Sequence, residues 1–326
     1  STRKESSAAS DVYKRQLFVR NMGHVGDTPG FRPHPARETQ WAFPGADKFH
    51  PDKKTHHGKG FFPMPDEWLA HLKADTIVAF FGYNESFDGP SKAPNFEAEL
   101  DAFAQHTLSK AYNGKYAPRL VLVSPLAYED LSSKRDLPNG KAENANLALY
   151  AAAVERVARK HGLTFIDIFS ASNNHYTARR GPSGFTANGF IPTDAGYTEL
   201  ATWIADGLYG RKAWDTKPDP ALVHEAVKQK DWFWQNDYHI LNGVHTHGQR
   251  YNPFGPQNYP DEVKKTREMM ALRDNLIHSV ASGTTRSLAV DDSNTHKLPP
   301  VPTNYQPSGK NGSVDYKYGN DAVNSL

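Results

Sequence analysis

The chain has 326 residues, 38 % of them apolar and 12 % aromatic, enough for a real core in one large domain or two small ones. A net charge of +2 with no long basic stripe argues against nucleic acid as a partner, and no apolar run approaches the roughly 20 residues that span a bilayer. The absence of cysteine excludes disulfides, thiolate metal sites, Cys-attached haem and cysteine catalysis within these residues, and it leaves the compartment open.

Ser6–Gln16, SSAASDVYKRQ, resembles the translated linker that contaminates assembled environmental sequences; the alternative is a natural disordered terminus. Residues 1–16 are therefore set aside from fold reasoning. Leu17–Arg20 reads as the end of a short strand running into a Gly-rich turn, Asn21–Thr28 (NMGHVGDT). Phe31–Met64, dense in Pro, His, Lys and aromatics, is too irregular for a packed helix or strand and predicts a lid or an ordered insertion. His50, His56 and His57 raise a metal site, but adjacent residues rarely face one ion together, and a solvated His-rich loop is preferred. Pro65–Lys73 starts a helix, with Asp66 and Glu67 in its first turn.

Asp75–Asp88, DTIVAFFGYNESFD, is the most informative stretch. Its unbroken apolar run Thr76–Phe81, stopped by Gly82, predicts a strand buried on both faces of a parallel sheet. Tyr83, Asn84, Glu85 and Ser86 then fall just past the carboxyl end of that strand, where open α/β sheets place their ligands. Asn84 could aim a neutral amide donor at a developing oxyanion, worth about 10²–10³ in rate at comparable sites; the alternative is a turn with a capping Asn. Further along, Phe96–Ala111 has helical spacing, Leu120–Ser124 is a strand, Asn144–His161 a helix closed by Gly162, Thr164–Phe169 a strand, and Asp194–Leu208 a helix capped by Thr193. This alternation predicts a parallel, three-layer α/β sheet.

Beyond Gly210 the composition changes. Ala221–Asn242 gathers Trp232, Phe233, Trp234 and Tyr238, either to pack an appended helical segment or to line a sugar-binding face, and Asp261–Ser279 predicts a helix carrying Arg267 and Arg273. His245-Thr246-His247 could share a metal on an extended segment, although no third ligand stands nearby. Leu298–Leu326 reads as a linker.

Gly82-Tyr83-Asn84 resembles the third motif of the SGNH (GDSL-type) hydrolases, and Asn21-x-Gly23-x-x-Gly26-x-Thr28 resembles their second. The resemblance implies a flavodoxin-like fold with Gly26 and Asn84 as oxyanion donors and Asp27, Thr28, Tyr83, Glu85 and Ser86 as substrate-binding residues. Ser124–Glu129, Asn146–Tyr150 and Asn84–Phe87 resemble a subgroup found at the front of large exported bacterial proteins, ahead of dehydrogenase-like propeller and cytochrome c domains. From this follow covalent neighbour domains, an exported location and an ester substrate, an acetylated carbohydrate among them. No metal and no cofactor are assigned.

The resemblance fails at the catalytic residues. No Gly-Asp-Ser occurs, and the family's nucleophilic Ser would lie upstream of Leu17. Thr186–Tyr197, TANGFIPTDAGY, aligns with the family's last motif, but its orienting Asp becomes Asn188 and its His becomes Ile191, which cannot accept a proton. His175 is a substitute to be weighed against a solvated loop histidine. The expectation is a hydrolase-like domain without its own Ser and His, or else an inactive module that binds polysaccharide; an electron-transfer or metal-binding accessory domain is a third reading.

The division expected is 1–16 non-native, 17–211 hydrolase-like, 212–283 helical extension and 284–326 linker, truncated at both ends. In the strand order 2-1-3-4-5 the absent first strand would be central. Leu17–Arg20 and Thr76–Phe81 would then pair across the gap or leave backbone unpaired, and the domain would melt early.

Overall fold

The computed structural model describes residues 17–34, 37–53, 62–178, 183–210, 219–239 and 259–298. His56, His57, His245, His247, the first 16 residues and residues 299–326 of the expected linker lie outside them. The chain divides into two compact units. One holds the described residues of 24–53 and 63–210, and the other those of 17–23, 219–239 and 259–298, with Phe62.

The first unit is an α/β layered structure on a parallel sheet of three strands, β1 (Thr76–Phe80), β2 (Arg119–Val123) and β3 (Thr164–Ile166), in the order β1-β2-β3. Val78 stands opposite Val121, which in turn stands opposite Thr164. Helix α1 (Pro65–His71) precedes β1, and the single turn α2 (Tyr83–Ser86) follows it. Helices α3 (Ala93–Leu108), α4 (Lys141–His161), α5 (Ile168–Thr177) and α6 (Asp194–Tyr209) complete the unit.

The two-residue period of a strand explains why helices cover both faces. Leu120 and Leu122 of β2 enter one core with Phe96, Leu100 and Phe103 of α3 and Tyr150, Val154 and Val157 of α4. Val121 and Val123 point the other way, into a second core with Ile166, Ile168 and Phe185, against which Leu200, Trp203 and Ile204 of α6 pack. Each such apolar side chain contributes about 1.5–3 kcal/mol when fully buried, which is why β2, apolar throughout its buried length, is central.

The strand β1 lies at the edge among the described residues, pairing with β2 alone, and Phe80 is 50 % exposed. Among the described residues Leu17–Arg20 and β1 do not pair, which leaves the second of the two expected outcomes. Leu17–Arg20 forms no strand, which corrects the sequence reading. Leu17, Phe18 and Val19 are exposed, and the segment belongs to the helical unit. The backbone of 19–22 is held by side chains of helix α7 (Pro220–Tyr238): Lys230 donates to the Val19 carbonyl, Trp234 to that of Asn21, and Tyr238 to that of Met22. Asp274 of helix α8 (Tyr259–Ala281) pairs with Arg20 through both carboxylate oxygens.

In the helical unit α7 and α8 pack through Ala226, Leu276 and Val280. Arg267 forks onto Asp237, and Arg273 onto Asp292 at 2.7 and 2.8 Å. Trp234 and Tyr238 are buried and stacked, in keeping with aromatics that pack an appended segment, while Trp232 is exposed.

Other boundaries moved for local reasons. Thr164–Phe169 yields only a three-residue strand because the Asp167 side chain accepts the Ser170 N–H and caps α5, a helix the apolar run TFIDIF concealed. The described residues of the Phe31–Met64 stretch, 31–34, 37–53 and 62–64, pack as an ordered insertion, one of the two expected alternatives. Ala42, Phe43 and Ala46 lie in the first core, and Phe31 bridges Trp41.

Candidate functional site

The site is assembled in the α/β unit by three loops. The first is α2, the turn beyond β1. The Gly82 N–H donates to Glu85 Oε2 at 2.9 Å, which closes the turn, and Asn84 is left exposed on it. The second is the turn His24–Thr28, closed by a bond from the Asp27 N–H to the His24 carbonyl. Asn84 Nδ2 donates to the main-chain carbonyl of Asp27 at 3.4 Å, so the two loops meet. Gly26 is exposed there with φ +89°, and a Cβ would meet nothing within 4 Å. Close approach by a substrate is the reason its sequence context suggests for a glycine; the backbone conformation already requires one.

Burial pushes the Asp27 carboxyl up to about 6, against the opposing charges of Arg32 and Arg37. Burial and the neighbouring Tyr128 hydroxyl hold that of Tyr83 well above its ordinary value. Thr28, Glu85 and Ser86 turn inward. The Thr28 hydroxyl donates to Glu99 Oε1 at 2.8 Å, and that of Ser86 to the Tyr83 carbonyl at 2.7 Å. All three are buried, so they shape the site rather than line it.

The third loop carries the degenerate motif. Asn188 Oδ1 accepts the N–H of Ile191 at 2.9 Å, an Asx turn. A side chain matched to the family's orienting Asp is thus occupied by its own turn. Ile191 is 46 % exposed. Phe190 stacks on Tyr83 with ring centres 5.1 Å apart, and Phe87 meets the Tyr83 edge at 5.6 Å, so this loop and α2 share one aromatic surface. Gly189 at φ +96° lets the Tyr128 ring approach; a Cβ there would sit 2.3 Å from Tyr128 Cζ. The His175 ring packs against Phe185 and Trp203 in the second core, which corrects its proposed role as a loop substitute.

Two buried glutamates that the sequence reading did not single out for a role fix the outer loops. Glu99, 1 % exposed, accepts at Oε1 the Thr28 hydroxyl, the Gly30 N–H at 2.7 Å and His50 Nε2 at 2.7 Å. His50, raised as a metal ligand, is engaged here. Glu129, also 1 % exposed, accepts the N–H and hydroxyl of both Ser183 and Thr186, and its own N–H donates to the Gly189 carbonyl at 2.8 Å. Burial pushes the Glu129 carboxyl up, but those hydrogen bonds outweigh it and leave it below the ordinary value. Glu99 carried a legible signal, a charge on the apolar face of α3 between Phe96, Leu100 and Phe103. Glu129, in a loop, carried none.

Of the second-motif residues, Asn21 and Gly23 belong to the helical unit and are joined there by a 3.0 Å bond from the Gly23 N–H to Asn21 Oδ1. Among the described residues no group of three or more His, Asp or Glu side chains could hold a metal ion, and no helix is long and apolar enough to cross a membrane.

No protein-family model matches the chain, and no curated protein matches it. Among solved structures it is similar to an acetylxylan esterase from Geobacillus stearothermophilus, at 17 % identity and TM-score 0.34 over 43 % of this chain. It is also similar to an alpha/beta hydrolase enzyme from the metagenome of Lake Arreo, Spain (19 %, TM-score 0.34, 43 % of this chain). A lipase/acylhydrolase from Enterococcus faecalis gives 22 % and 0.32 over 43 %. The match spans about three fifths of the length of these structures, 62 % of the first two and 64 % of the third.

Proposed function

We propose that this chain carries an SGNH/GDSL-type hydrolase-like site that receives an ester, an acetylated carbohydrate among them, with Asn84 and Gly26 as the donors facing the acyl oxygen. The observation that supports this reading is the meeting of Asn84 with the Gly26–Asp27 turn, since these are the two loops the family pairs for that purpose. At the positions of the family's acid–base pair stand Asn188 and Ile191, so a proton relay of that kind is not available from them.

That substitution favours a second reading, a catalytically inactive module that binds polysaccharide. The paired rings of Tyr83 and Phe190 beside an exposed amide suit the apolar face and hydroxyls of a sugar. The resemblance further suggests covalent neighbour domains within an exported protein.

One experiment separates the readings: hydrolysis of an aryl acetate and equilibrium binding of xylan oligosaccharides, by the chain and by Asn84→Ala. Turnover lost in the variant supports the hydrolase. Saturable glycan binding without turnover, weakened in the variant, supports the module. Neither turnover nor binding rejects both.

A further inference from the structure

Glu85 is 7 % exposed, and its two carboxyl oxygens have unlike surroundings. Oε2 accepts the Gly82 N–H at 2.9 Å, whereas Oε1 is wholly buried and has no hydrogen-bond partner among the described residues. The turn it closes is packed against Phe96 of α3, Pro125 and Tyr150 of α4, which approach Gly82.

The ionisable groups acting on it are Glu99 of α3 and Asp88 just beyond the turn, and Glu85 in turn acts on the Tyr150 hydroxyl of α4. No cationic group of the described residues is among those acting on it, and His50 is bonded to Glu99. The backbone N–H groups of Gly82 and of Glu85 itself do not outweigh the cost of a buried negative charge, and a second carboxyl nearby raises that cost. Glu99 has the donors that a carboxylate needs, namely the Thr28 hydroxyl, the Gly30 N–H and the His50 imidazole. Glu85 has no such set, so geometry leaves its buried carboxyl to a proton.

We propose that Glu85 stands in the folded chain as a neutral carboxylic acid and is the positioning residue for Asn84, accepting the Gly82 N–H to keep the turn closed beneath the Asn84 amide without burying a charge. Burial, together with the charges of Glu99 and Asp88, pushes its carboxyl up to about 7, the same direction that the geometry gives. When the turn opens, Glu85 reaches water and ionises in the ordinary carboxyl range, near 4.5. Between those two values each rise in pH makes opening easier; above about 7 the dependence ends. The importance of Asn84 rests on the function proposed above, but the protonation of Glu85 and its hold on the turn do not.

The test is nuclear magnetic resonance on the full chain, following the Glu85 side-chain carboxyl carbon and the Asn84 side-chain amide from pH 4 to 9. Exchange of the Gly82 amide, corrected for base catalysis, gives the opening population. The expected result is a Glu85 midpoint near 7, Asn84 signals that move with that midpoint, and opening that increases by up to about tenfold per pH unit between 4.5 and 7. Glu85→Gln, which keeps the acceptor and cannot ionise, should retain the low-pH Asn84 signals and show flat opening. A midpoint in the ordinary carboxyl range overturns the proposal, as does an Asn84 amide that ignores the Glu85 titration. Should Glu85→Gln not fold, the wild-type titration decides alone. Coupled titration in a chain that neither binds nor hydrolyses the ester and glycan probes would uphold this device and reject the proposed function.

Discussion

The side-chain amide of Asn84 donates to the main-chain carbonyl of Asp27 at 3.4 Å, joining two loops 57 residues apart in sequence. At that length the bond is weak, so a ligand oxygen placed between the loops would compete well for the amide. The same contact makes Asn84 a reporter of the site. Its side chain is exposed, and truncation leaves no buried group without a partner.

Asn84→Ala should therefore leave stability within about 0.5 kcal/mol of the parent, as for other exposed positions. Any ester turnover should fall by about 10²–10³, the loss expected for one preorganised oxyanion donor. Urea denaturation and initial rates on an aryl acetate check the two halves. A variant that melts early would place Asn84 in the scaffold instead.

Glu99→Ala should be severely destabilising. It strips the shared acceptor from His50 Nε2, which is partly buried, and from the Thr28 hydroxyl and Gly30 N–H, buried donors that each cost about 1–3 kcal/mol when left unmade. Glu99→Gln keeps an acceptor oxygen and should lose less. The urea midpoints of the two variants should rank in that order.

Gly189→Ala should cost stability and displace the degenerate motif together. The new Cβ would overlap Tyr128 at 2.3–2.6 Å, and φ +96° is strained for any side chain. About 2 kcal/mol or more is expected, as for overpacking joined to backbone strain. Pairing it with Tyr128→Ala should recover only the steric part, which a double-mutant cycle measures.

Stability should depend on pH with two opposite slopes. The folded carboxyl of Glu85 lies above its unfolded value, so its contribution is complete below about 4.5 and is lost as pH rises to about 7. That shift, from 4.5 to about 7, corresponds to roughly 3–4 kcal/mol at most for a buried group, on the scale of about 1.4 kcal/mol per pH unit. Asp27 acts in the same direction between 3.8 and about 6. Glu129 is depressed, so its contribution is present above its ordinary 4.5 and is lost as pH falls through its folded value. A stability optimum near pH 4–5 follows, and Glu85→Gln should flatten its neutral side in denaturation curves taken at several pH values.

The sequence by itself determined the layered α/β class. The apolar runs around β1 and β2, the amphipathic α4 closed by Gly162, and the Thr193 cap of α6 are local patterns, set by side-chain period and backbone hydrogen bonding within a few residues. It also put an isoleucine, which cannot accept a proton, at position 191 of the Thr186–Tyr197 stretch. Tertiary structure decided what depends on distant partners. Leu17–Arg20 has a strand's composition, yet Lys230, more than 200 positions away, takes the Val19 carbonyl and Trp234 that of Asn21 just beyond it, and the segment forms no strand. Whether Glu85 lines a site or closes a turn turned on burial that no local pattern encodes. The roles of Glu99 and Glu129 likewise arise from donors supplied by loops 49–71 and 54–57 residues distant, because a buried carboxylate is satisfied by whatever the fold brings to it.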